Sequence, residues 1–312
     1  MDPLPARPTT VRYGSRAMAA TPDPTRTPPS ITFLGHSTVL FEIAGARILT
    51  DPIVFDRLII LRRMASRLDP SLHQELDAVL ISHLHVDHLH IRSLIEIGRE
   101  TRVIMPSGGE SLLLGNGFTR VEGVEPGEAV DVGGVRVTAT KALHSGRRPP
   151  LGPDAPALGF VLEAGTAKVY FAGDTDIFPE MTQIAPDLDV ALLPVWGWGP
   201  RLGHGHMNPR RAALSLRLLR PRYAVPVHWG TLWPYGFGRV VPGRLTDPPR
   251  EFVRFARRYA PDVQVLVTPP GTPVSFDPDA PAPARGERRS KPPRPPRLPK
   301  VNLPSGPGGG RR

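Results

Sequence analysis

A dense group of metal-ligand side chains directly follows a short apolar run in this chain, and it limits what the chain can fold into. Residues 78–81 are uniformly apolar and too few for a helix, which predicts a buried strand. His83, His85, Asp87 and His88 follow within six residues. His83 and His85 are two positions apart, so on an extended backbone their side chains point to the same side. Imidazole and carboxylate ligands without a thiolate suit zinc, and also manganese or iron.

The pattern changes at Asp87 and His88, because the apolar residues from Leu89 to Ile97 have a helical spacing. This change of period turns the second pair of ligand-type residues away from the first. One pair can therefore serve one metal ion and the other pair a neighbouring ion. The simpler alternative is a histidine-rich turn without metal, which is the usual explanation for one histidine but not for four clustered ligand-type residues.

The charge of the chain is concentrated at its ends. The 312 residues carry a net charge of +10, and residues 277–312 contain nine Lys or Arg against three Asp or Glu. Residues 1–30 contain four Arg against two Asp, so the part between is close to neutral. No nucleic-acid partner is therefore expected for the core domain. A nucleic-acid or anionic-surface binder that acts through the basic tail is the alternative from another functional class.

Several absences narrow the class of protein. The chain contains no cysteine, which excludes a disulfide framework and a thiolate metal site and fits a cytoplasmic protein. It has no run of about 18 apolar residues, which argues against a membrane-spanning helix. Its N-terminus lacks the apolar core of a signal peptide.

Residues 53–68 combine bulky apolar side chains with four arginines. One interpretation is a helix or loop that closes over the core. The other is a basic, apolar surface that makes peripheral contact with a membrane, which would make the protein cytoplasmic but membrane-associated. Both interpretations stay open at this point.

Composition divides the chain into three regions. Residues 1–29 are rich in Pro, Thr, Arg and Ala and are predicted to be a disordered N-terminal segment. Residues 277–312 are predicted to be a disordered basic tail rich in Pro, Arg and Gly. Strands and helices mix in residues 30–276, which are predicted to form the folded domain. A helix is expected at 208–219, with Asn208 as its cap and proline in its first turn.

Three further ligand-type residues each come just after a predicted strand. His144 follows the strand near 135–140, Asp174 follows the strand ending at Phe171, and His228 follows 224–227. Loops at strand ends are where a rigid scaffold presents chemistry. Taken singly, each residue has an ordinary explanation, such as a capping aspartate or a histidine bonded to backbone. Behind the first cluster and in this order, they complete a metal-binding constellation.

The order of these residues resembles that of the metallo-β-lactamase superfamily, over roughly residues 31–231. Within that superfamily the chain is most similar to N-acyl-phosphatidylethanolamine phospholipase D and related bacterial metal-dependent hydrolases. The stretches that carry this likeness are Leu34–Leu40, Leu49–Ile53, Leu80–His83, Phe171–Thr175, His206–Pro209 and His228–Thr231.

The resemblance implies an α/β (α+β) fold, a four-layer αββα sandwich, for the domain at 30–276. It also implies two Zn²⁺ ions, with Mn²⁺ or Fe²⁺ as alternatives. The implied ligands of one ion are His83, His85 and His144. Those of the other are Asp87, His88 and His228, with Asp174 bridging the two.

The implied activity is hydrolysis of a small-molecule or lipid substrate, in which a metal-bound hydroxide attacks a phosphodiester, a phospholipid among the candidates. The alternative is a lactonase or other ester or thioester hydrolase, because the same two-metal site serves both. The expected catalytic residues are Asp87, Asp174 and His206, and His206 would donate to the substrate or leaving group. The ordinary explanation for His206 is a helix-entry residue ahead of Asn208.

Structural roles near the metal centre are expected for four more residues. Asp51 is expected to accept a hydrogen bond from a ligand histidine, or else to be a turn residue before proline. His36 is expected to be a buried, hydrogen-bonded structural histidine. Trp196 and Trp198 would either line the pocket or pack in the core.

Overall fold

A computed structural model of the chain describes residues 28–65, 67–199, 201–235 and 242–280. The segments predicted to be disordered, residues 1–29 and 277–312, lie outside the described residues except for 28–29 and 277–280. The three-region division therefore stays a prediction.

Short runs of β-branched and aromatic residues form most of the strands, as their composition predicts. The strands are β1 (Ser30–Gly35), β2 (Thr38–Ile43), β3 (Ala46–Thr50), β4 (Arg57–Leu58), β5 (Leu61–Arg63), β6 (Ala78–Leu80), β7 (Val103–Pro106), β8 (Val121–Val124), β9 (Ala129–Val132), β10 (Val135–Lys141), β11 (Leu158–Ala164), β12 (Ala167–Phe171), β13 (Val190–Pro194), β14 (Tyr223–Val227), β15 (Leu232–Pro234), β16 (Gln264–Val265) and β17 (Pro273–Ser275). The α-helices are α1 (Ile91–Ile97), α2 (Ser111–Leu114), α3 (Pro209–Leu219) and α4 (Asp247–Tyr259). Turns of 3₁₀-helix lie at Pro70–His73, Pro179–Gln183 and Pro242–Leu245.

Within the described residues, the strands form two seven-stranded sheets and one small sheet. The first sheet has the order β17-β1-β2-β3-β6-β7-β8, and the second has the order β16-β14-β13-β12-β11-β10-β9. The small sheet has the order β15-β5-β4. Strands β3, β6, β7 and β8 are parallel neighbours in the first sheet, and β12, β13, β14 and β16 are parallel neighbours in the second.

The two large sheets pack face to face through the alternating side chains of their central strands. In β2, Phe41 points into the core between the sheets, whereas Leu40 points to the outer face and packs in a cluster with Leu94 of α1. Phe41 meets Phe171 of β12 edge to face, with ring centroids 6.4 Å apart. Because the central strands are buried on both faces, they read in the sequence as nearly continuous apolar runs.

Helices cover the outer faces of both sheets. On the second sheet, Tyr170 of β12 points away from the central core and joins a cluster that contains Leu216 of α3 and Phe252 of α4. On the first sheet, α1 packs against Leu40 and Val79. The result is helix, sheet, sheet, helix, so the predicted αββα sandwich is confirmed.

Helix α3 begins where the sequence predicts. The Asn208 side chain accepts a hydrogen bond from the backbone N–H of Arg211 at 3.0 Å, and Pro209 occupies the first helical turn. The helix ends at Arg220, which adopts a left-handed conformation with φ of 51°. The capping residue also fixes where the chain before it, which contains His206, enters the helix.

Residues 53–68 do not form a helix. They contain the hairpin β4–β5, in which Leu58 and Leu61 are buried and pair across the two strands. The turn between the strands consists of Ile59 and Ile60, which are exposed. Strands β9, β15 and β17 were likewise not predicted from the sequence.

No helix among the described residues is both long and apolar enough to cross a lipid bilayer.

Candidate metal centre

The ligand-type residues meet at one edge of the sandwich because they follow strands that run in the same direction. In the first sheet, β1, β3 and β6 are followed by His36, Asp51 and the cluster His83–His88. In the second sheet, β10, β12 and β14 are followed by His144, Asp174 and His228. Ends of strands that point the same way lie at one edge of a sheet, so each sheet supplies one side of the centre.

The first group of converging atoms belongs to His83, His85 and His144. The Nδ1 atom of His85 lies 3.0 Å from Nε2 of His83 and 3.2 Å from Nε2 of His144. Their ligand atoms all lie within 4.8 Å of one another. A single divalent ion could be held by all three nitrogens.

The second group belongs to Asp87, His88 and His228, with His36 beside them. The two Nε2 atoms of His88 and His228 are 3.3 Å apart, and Oδ2 of Asp87 lies 3.8 Å from Nε2 of His88. His36 completes the group, with its Nε2 atom 3.0 Å from Oδ2 of Asp87. All four residues are buried, so any charge placed among them is shielded from bulk water.

Asp174 lies where the two groups meet. Its Oδ2 atom is 3.2 Å from the Nε2 atoms of His88, His206 and His228, and the residue also groups with His83 and with His144. Its Oδ1 atom is buried and has no hydrogen-bond partner among the described residues. A buried carboxylate oxygen without a partner is costly unless a cation binds there.

Hydrogen bonds on the far side of the rings orient three of the histidines. Nδ1 of His144 lies 3.0 Å from the Gly205 carbonyl oxygen, and Nδ1 of His228 lies 3.0 Å from the Trp196 carbonyl oxygen. Carbonyl oxygens only accept, so each Nδ1 carries the hydrogen and each Nε2 keeps a lone pair for a metal ion. In His88 the Nδ1 atom lies 2.7 Å from Oδ2 of Asp51, with the same consequence.

Gly205 has to be a glycine for His144 to sit there. Its φ is +74°, and a Cβ atom on it would lie 2.9 Å from Nδ1 of His144. The loop before α3 therefore approaches the histidine ring through bare backbone, which brings the carbonyl of Gly205 into hydrogen-bonding range.

Asp51 also anchors Ser82, a residue that the sequence analysis missed. Oδ1 of Asp51 accepts from the Ser82 backbone N–H at 2.7 Å, and Oδ2 accepts from the Ser82 hydroxyl at 2.6 Å. The Ser82 Oγ atom is also 3.0 Å from Nδ1 of His83. Both Asp51 and Ser82 are fully buried. The sequence signal for Ser82 was only its position between the strand and His83.

Asp87 is held by two donors on one of its oxygens. Oδ2 accepts from Nε2 of His36 at 3.0 Å and from the indole N–H of Trp198 at 3.0 Å. His36 is buried and hydrogen-bonded, as expected. The Trp198 side chain is 41% exposed, so it lines the opening of the site, whereas Trp196 is buried. Of the two expected roles, lining the pocket thus applies to Trp198 and packing in the interior applies to Trp196.

The polypeptide around the histidine cluster is fixed from outside by Arg148. Its Nη1 atom donates to the carbonyl oxygens of Leu84 and Leu89, at 2.8 and 3.1 Å. These two residues flank His85, Asp87 and His88. The guanidinium group therefore stabilises the segment that carries three of the candidate ligands.

The electrostatic environment keeps most of these histidines neutral. Burial lowers the pKa of His83 and His228 well below the usual histidine value and that of His144 to about 4. Neutral imidazole is the form that binds a metal ion. His88 differs: burial opposes its charge, but the carboxylates of Asp174 and Asp51 hold its pKa well above the usual value, so a metal ion that binds at its Nε2 atom would displace a proton from that atom.

The carboxylates stay ionised in this environment. Burial acts to raise the pKa of Asp174, but the neighbouring His228 and His88 hold it well below the usual value. The pKa of Asp87 is likewise well below its usual range, because His88 and His36 outweigh the effect of burial. Anionic oxygens next to neutral imidazole nitrogens are the ligand mixture that a divalent metal ion favours.

The site fits divalent metal ions in three respects. Its nitrogen lone pairs converge, its carboxylates are ionised, and one oxygen of Asp174 has no hydrogen-bond partner among the described residues. The Beta-lactamase superfamily domain matches residues 46–229 of this chain. The chain belongs to that superfamily. It is a metal-dependent hydrolase with the metallo-β-lactamase fold.

Two relatives and one solved structure support this assignment. A UPF0173 metal-dependent hydrolase of Rubrobacter xylanophilus is 34% identical over 263 residues, which cover 77% of this chain and 94% of the relative. The corresponding hydrolase of Methanopyrus kandleri is 30% identical over 248 residues, covering 77% and 97%. The structure of Igni18, a metallo hydrolase from Ignicoccus hospitalis, has a TM-score of 0.62 and 27% identity and covers 80% of this chain and 99% of its own.

Proposed function

We propose that the protein is a two-zinc hydrolase that cleaves a phosphodiester. The observation that carries this proposal is the position of Asp174, whose Oδ2 atom lies 3.2 Å from Nε2 of His88 and of His228 in the second group, while the same carboxylate also groups with His83 and with His144 of the first. A carboxylate in that position can serve two ions at once. His83, His85 and His144 would hold one zinc, and Asp87, His88 and His228 would hold the other.

Zinc suits this donor set because it contains nitrogen and oxygen atoms and no thiolate. Two zinc ions would supply a hydroxide nucleophile at neutral pH and Lewis acidity toward the substrate. A phosphodiester gains most from such a pair, since charge develops on both the attacking and the leaving oxygen. The likeness of residues 34–40 and 228–231 to N-acyl-phosphatidylethanolamine phospholipase D favours the same substrate class.

In this proposal His206 assists the leaving group. Its Nε2 atom lies 3.2 Å from Oδ2 of Asp174, and its side chain is 19% exposed, so the ring borders both the metal centre and the solvent. The Gly-rich loop before α3 supports it, with Nδ1 of His206 3.0 Å from the carbonyl oxygen of His204. In this proposal His206 donates a proton to the departing oxygen, while Asp87 and Asp174 act as carboxylate ligands.

The test is a metal analysis followed by a substrate panel. Purified protein is expected to contain zinc and to hydrolyse bis(4-nitrophenyl) phosphate and a phospholipid, with little turnover of an acyl-homoserine lactone or a thioester. Turnover of the lactone or thioester without turnover of phosphodiesters would overturn the substrate class. Manganese or iron in place of zinc would overturn the metal assignment.

A pair of matched variants separates the metal centre from general stability. Asp174→Ala is expected to lose metal and activity. Asp189→Ala is the control, because Asp189 is also a buried carboxylate and bonds Arg222 at 2.8 Å. This variant is expected to lose stability but to keep its metal.

A further inference from the structure

The hairpin β4–β5 presents an apolar tip to the solvent. Ile59 and Ile60 at its turn are 78% and 63% exposed, and Tyr235 at the end of β15 is 68% exposed. The backbone N–H of Tyr235 donates to the carbonyl oxygen of Ile60 at 2.9 Å, so the three residues lie next to one another. Met64 at the other end of β5 is exposed as well. Four of the eight large apolar residues exposed among the described residues therefore lie on this small sheet.

The turn of the hairpin contains an isoleucine in a backbone conformation that is unfavourable for that residue type. Ile59 has φ of 50°, in the left-handed region that β-branched residues avoid and that glycine or asparagine adopts readily. Beneath the tip, Leu58 and Leu61 are buried in a small cluster with Ile53 and Leu232, so the hairpin itself is anchored. An exposed, strained isoleucine on an anchored hairpin is not explained by packing within the chain.

Arginines surround this tip. Arg57 and Arg62 project from the two strands of the hairpin and are exposed. Beside them is an open cleft of about 330 Å³, lined by Val54, Phe55, Asp56, Arg57, Arg67 and Arg92. The cleft thus has three guanidinium groups against one carboxylate, on an apolar floor. The guanidinium of Arg92 lies 5.2 Å from the centre of the Phe55 ring.

No carboxylate of the described residues forms an ion pair with Arg57, Arg67 or Arg92. Their charges are therefore available to an anion from outside the chain. The guanidinium fork is well suited to phosphate oxygens, which it binds through two parallel hydrogen bonds.

The small sheet adjoins the metal centre through two hydrogen bonds. The backbone N–H of Met64 donates to the carbonyl oxygen of Thr231 at 2.7 Å. The Thr231 hydroxyl accepts from the backbone N–H of His36 at 2.7 Å. The end of the hairpin opposite its exposed turn is thus connected to His36, whose ring bonds Asp87.

We propose that this small sheet and its cleft dock the enzyme on a membrane that contains anionic phospholipid. Ile59, Ile60 and Tyr235 enter the boundary between headgroups and acyl chains, and the arginine cleft binds a headgroup phosphate. An apolar tip ringed by cations matches a lipid interface in both its hydrophobic and its charged layer. The inference deepens the proposed phosphodiester hydrolysis by naming a lipid surface, and its test measures binding without turnover.

The absence of cysteine allows a single reporter to be placed at the tip. Ile60→Cys, labelled with an environment-sensitive fluorophore, is expected to become several-fold brighter and blue-shifted with vesicles of phosphatidylcholine and phosphatidylglycerol. Leu151→Cys, labelled at another exposed position, is the matched control and is expected to stay unchanged. Because the signal is local, vesicle binding by the basic tail alone gives no change at position 60.

Four outcomes would overturn the proposal. The first is vesicle association without a change at position 60. The second is an equal change with pure phosphatidylcholine, and the third is the same change produced by inorganic phosphate without lipid. The fourth is a change that rises with protein concentration in the absence of vesicles, which would indicate a second copy of the chain as the occupant.

The arginine cleft is tested by charge removal in the full chain. Arg57→Gln with Arg92→Gln is expected to weaken binding to anionic vesicles about 25-fold, or about fivefold per arginine. The control, Arg250→Gln with Arg257→Gln on the exposed face of α4, is expected to bind as the unaltered protein does. Equal binding by the two double variants would overturn the role of the cleft. Because no turnover is needed, vesicle binding by a protein inactive on phosphodiesters would refute only the proposed function.

Discussion

Replacing Asp51 by asparagine tests how the centre is held, because the change removes charge but keeps shape. Oδ1 of Asp51 accepts the Ser82 backbone N–H at 2.7 Å, so the asparagine oxygen is expected to take that position. The amide nitrogen then faces Nδ1 of His88, which lies 2.7 Å from Oδ2 in the unaltered protein. Two N–H groups would point at each other unless His88 moves its hydrogen to Nε2.

Either response impairs His88 as a ligand. A displaced ring no longer aims Nε2 at the metal, and the other tautomer has no lone pair there. Loss of a hydrogen-bond partner of this kind typically costs 10- to 100-fold in metal affinity, or about 1.4–2.7 kcal/mol. We expect Asp51→Asn to fall within this range and to lose one metal ion before the other.

The assay is competition for zinc with a chromophoric chelator, combined with thermal unfolding in excess chelator. Asp189→Asn is the control, because Asp189 is also buried and accepts from Arg222 at 2.8 Å and from the Lys168 backbone N–H at 2.9 Å. Both variants should lose stability without metal, since each leaves buried donors unpaired. Only Asp51→Asn should lose zinc affinity. Unchanged zinc affinity in Asp51→Asn would show that Asp51 does not orient His88 for metal binding.

Three further changes probe other parts of the molecule. Trp198→Phe removes the indole donor to Asp87 but keeps an aromatic ring. Chelator competition should show about tenfold weaker metal binding, and the metal-free protein should lose no stability. Equal metal affinity of the variant and the unaltered protein would contradict this prediction. Asn208→Ala removes the cap on the Arg211 N–H and should lower the free energy of unfolding by about 1 kcal/mol in urea titrations, whereas no change would show that the cap is dispensable. Phe171→Ala leaves a cavity between the sheets and should cost about 3–5 kcal/mol by the same measurement, and a loss below about 1 kcal/mol would indicate a collapsible core.

Much of the fold and the placement of the site residues could be predicted from local sequence. His144, Asp174 and His228 each follow a strand, and strands that run the same way bring such residues to one edge. The sequence placed each of them after a strand, and the resemblance to the metallo-β-lactamase superfamily implied that they meet the cluster at His83. The Asn208 cap was predictable for the same reason, because capping depends on a few adjacent residues.

What the sequence did not indicate depends on distant contacts. The spacing of Leu58 and Leu61 is compatible with a helix, but the chain reverses at Ile59, and β5 is held by β15, whose residue Leu232 pairs with Arg63. No glycine marks that turn. Ser82 and Trp198 gained their roles from partners, Asp51 and Asp87, that are 31 and 111 residues away.

We propose that two metal ions share Asp174, and anomalous diffraction from crystals of the zinc-loaded protein can locate both ions and their ligands. Two anomalous peaks are expected at the zinc edge. One should lie among the ring nitrogens of His83, His85 and His144, and the other among Asp87, His88 and His228, with Asp174 in contact with both. A single peak, or two peaks of which only one contacts Asp174, would contradict it.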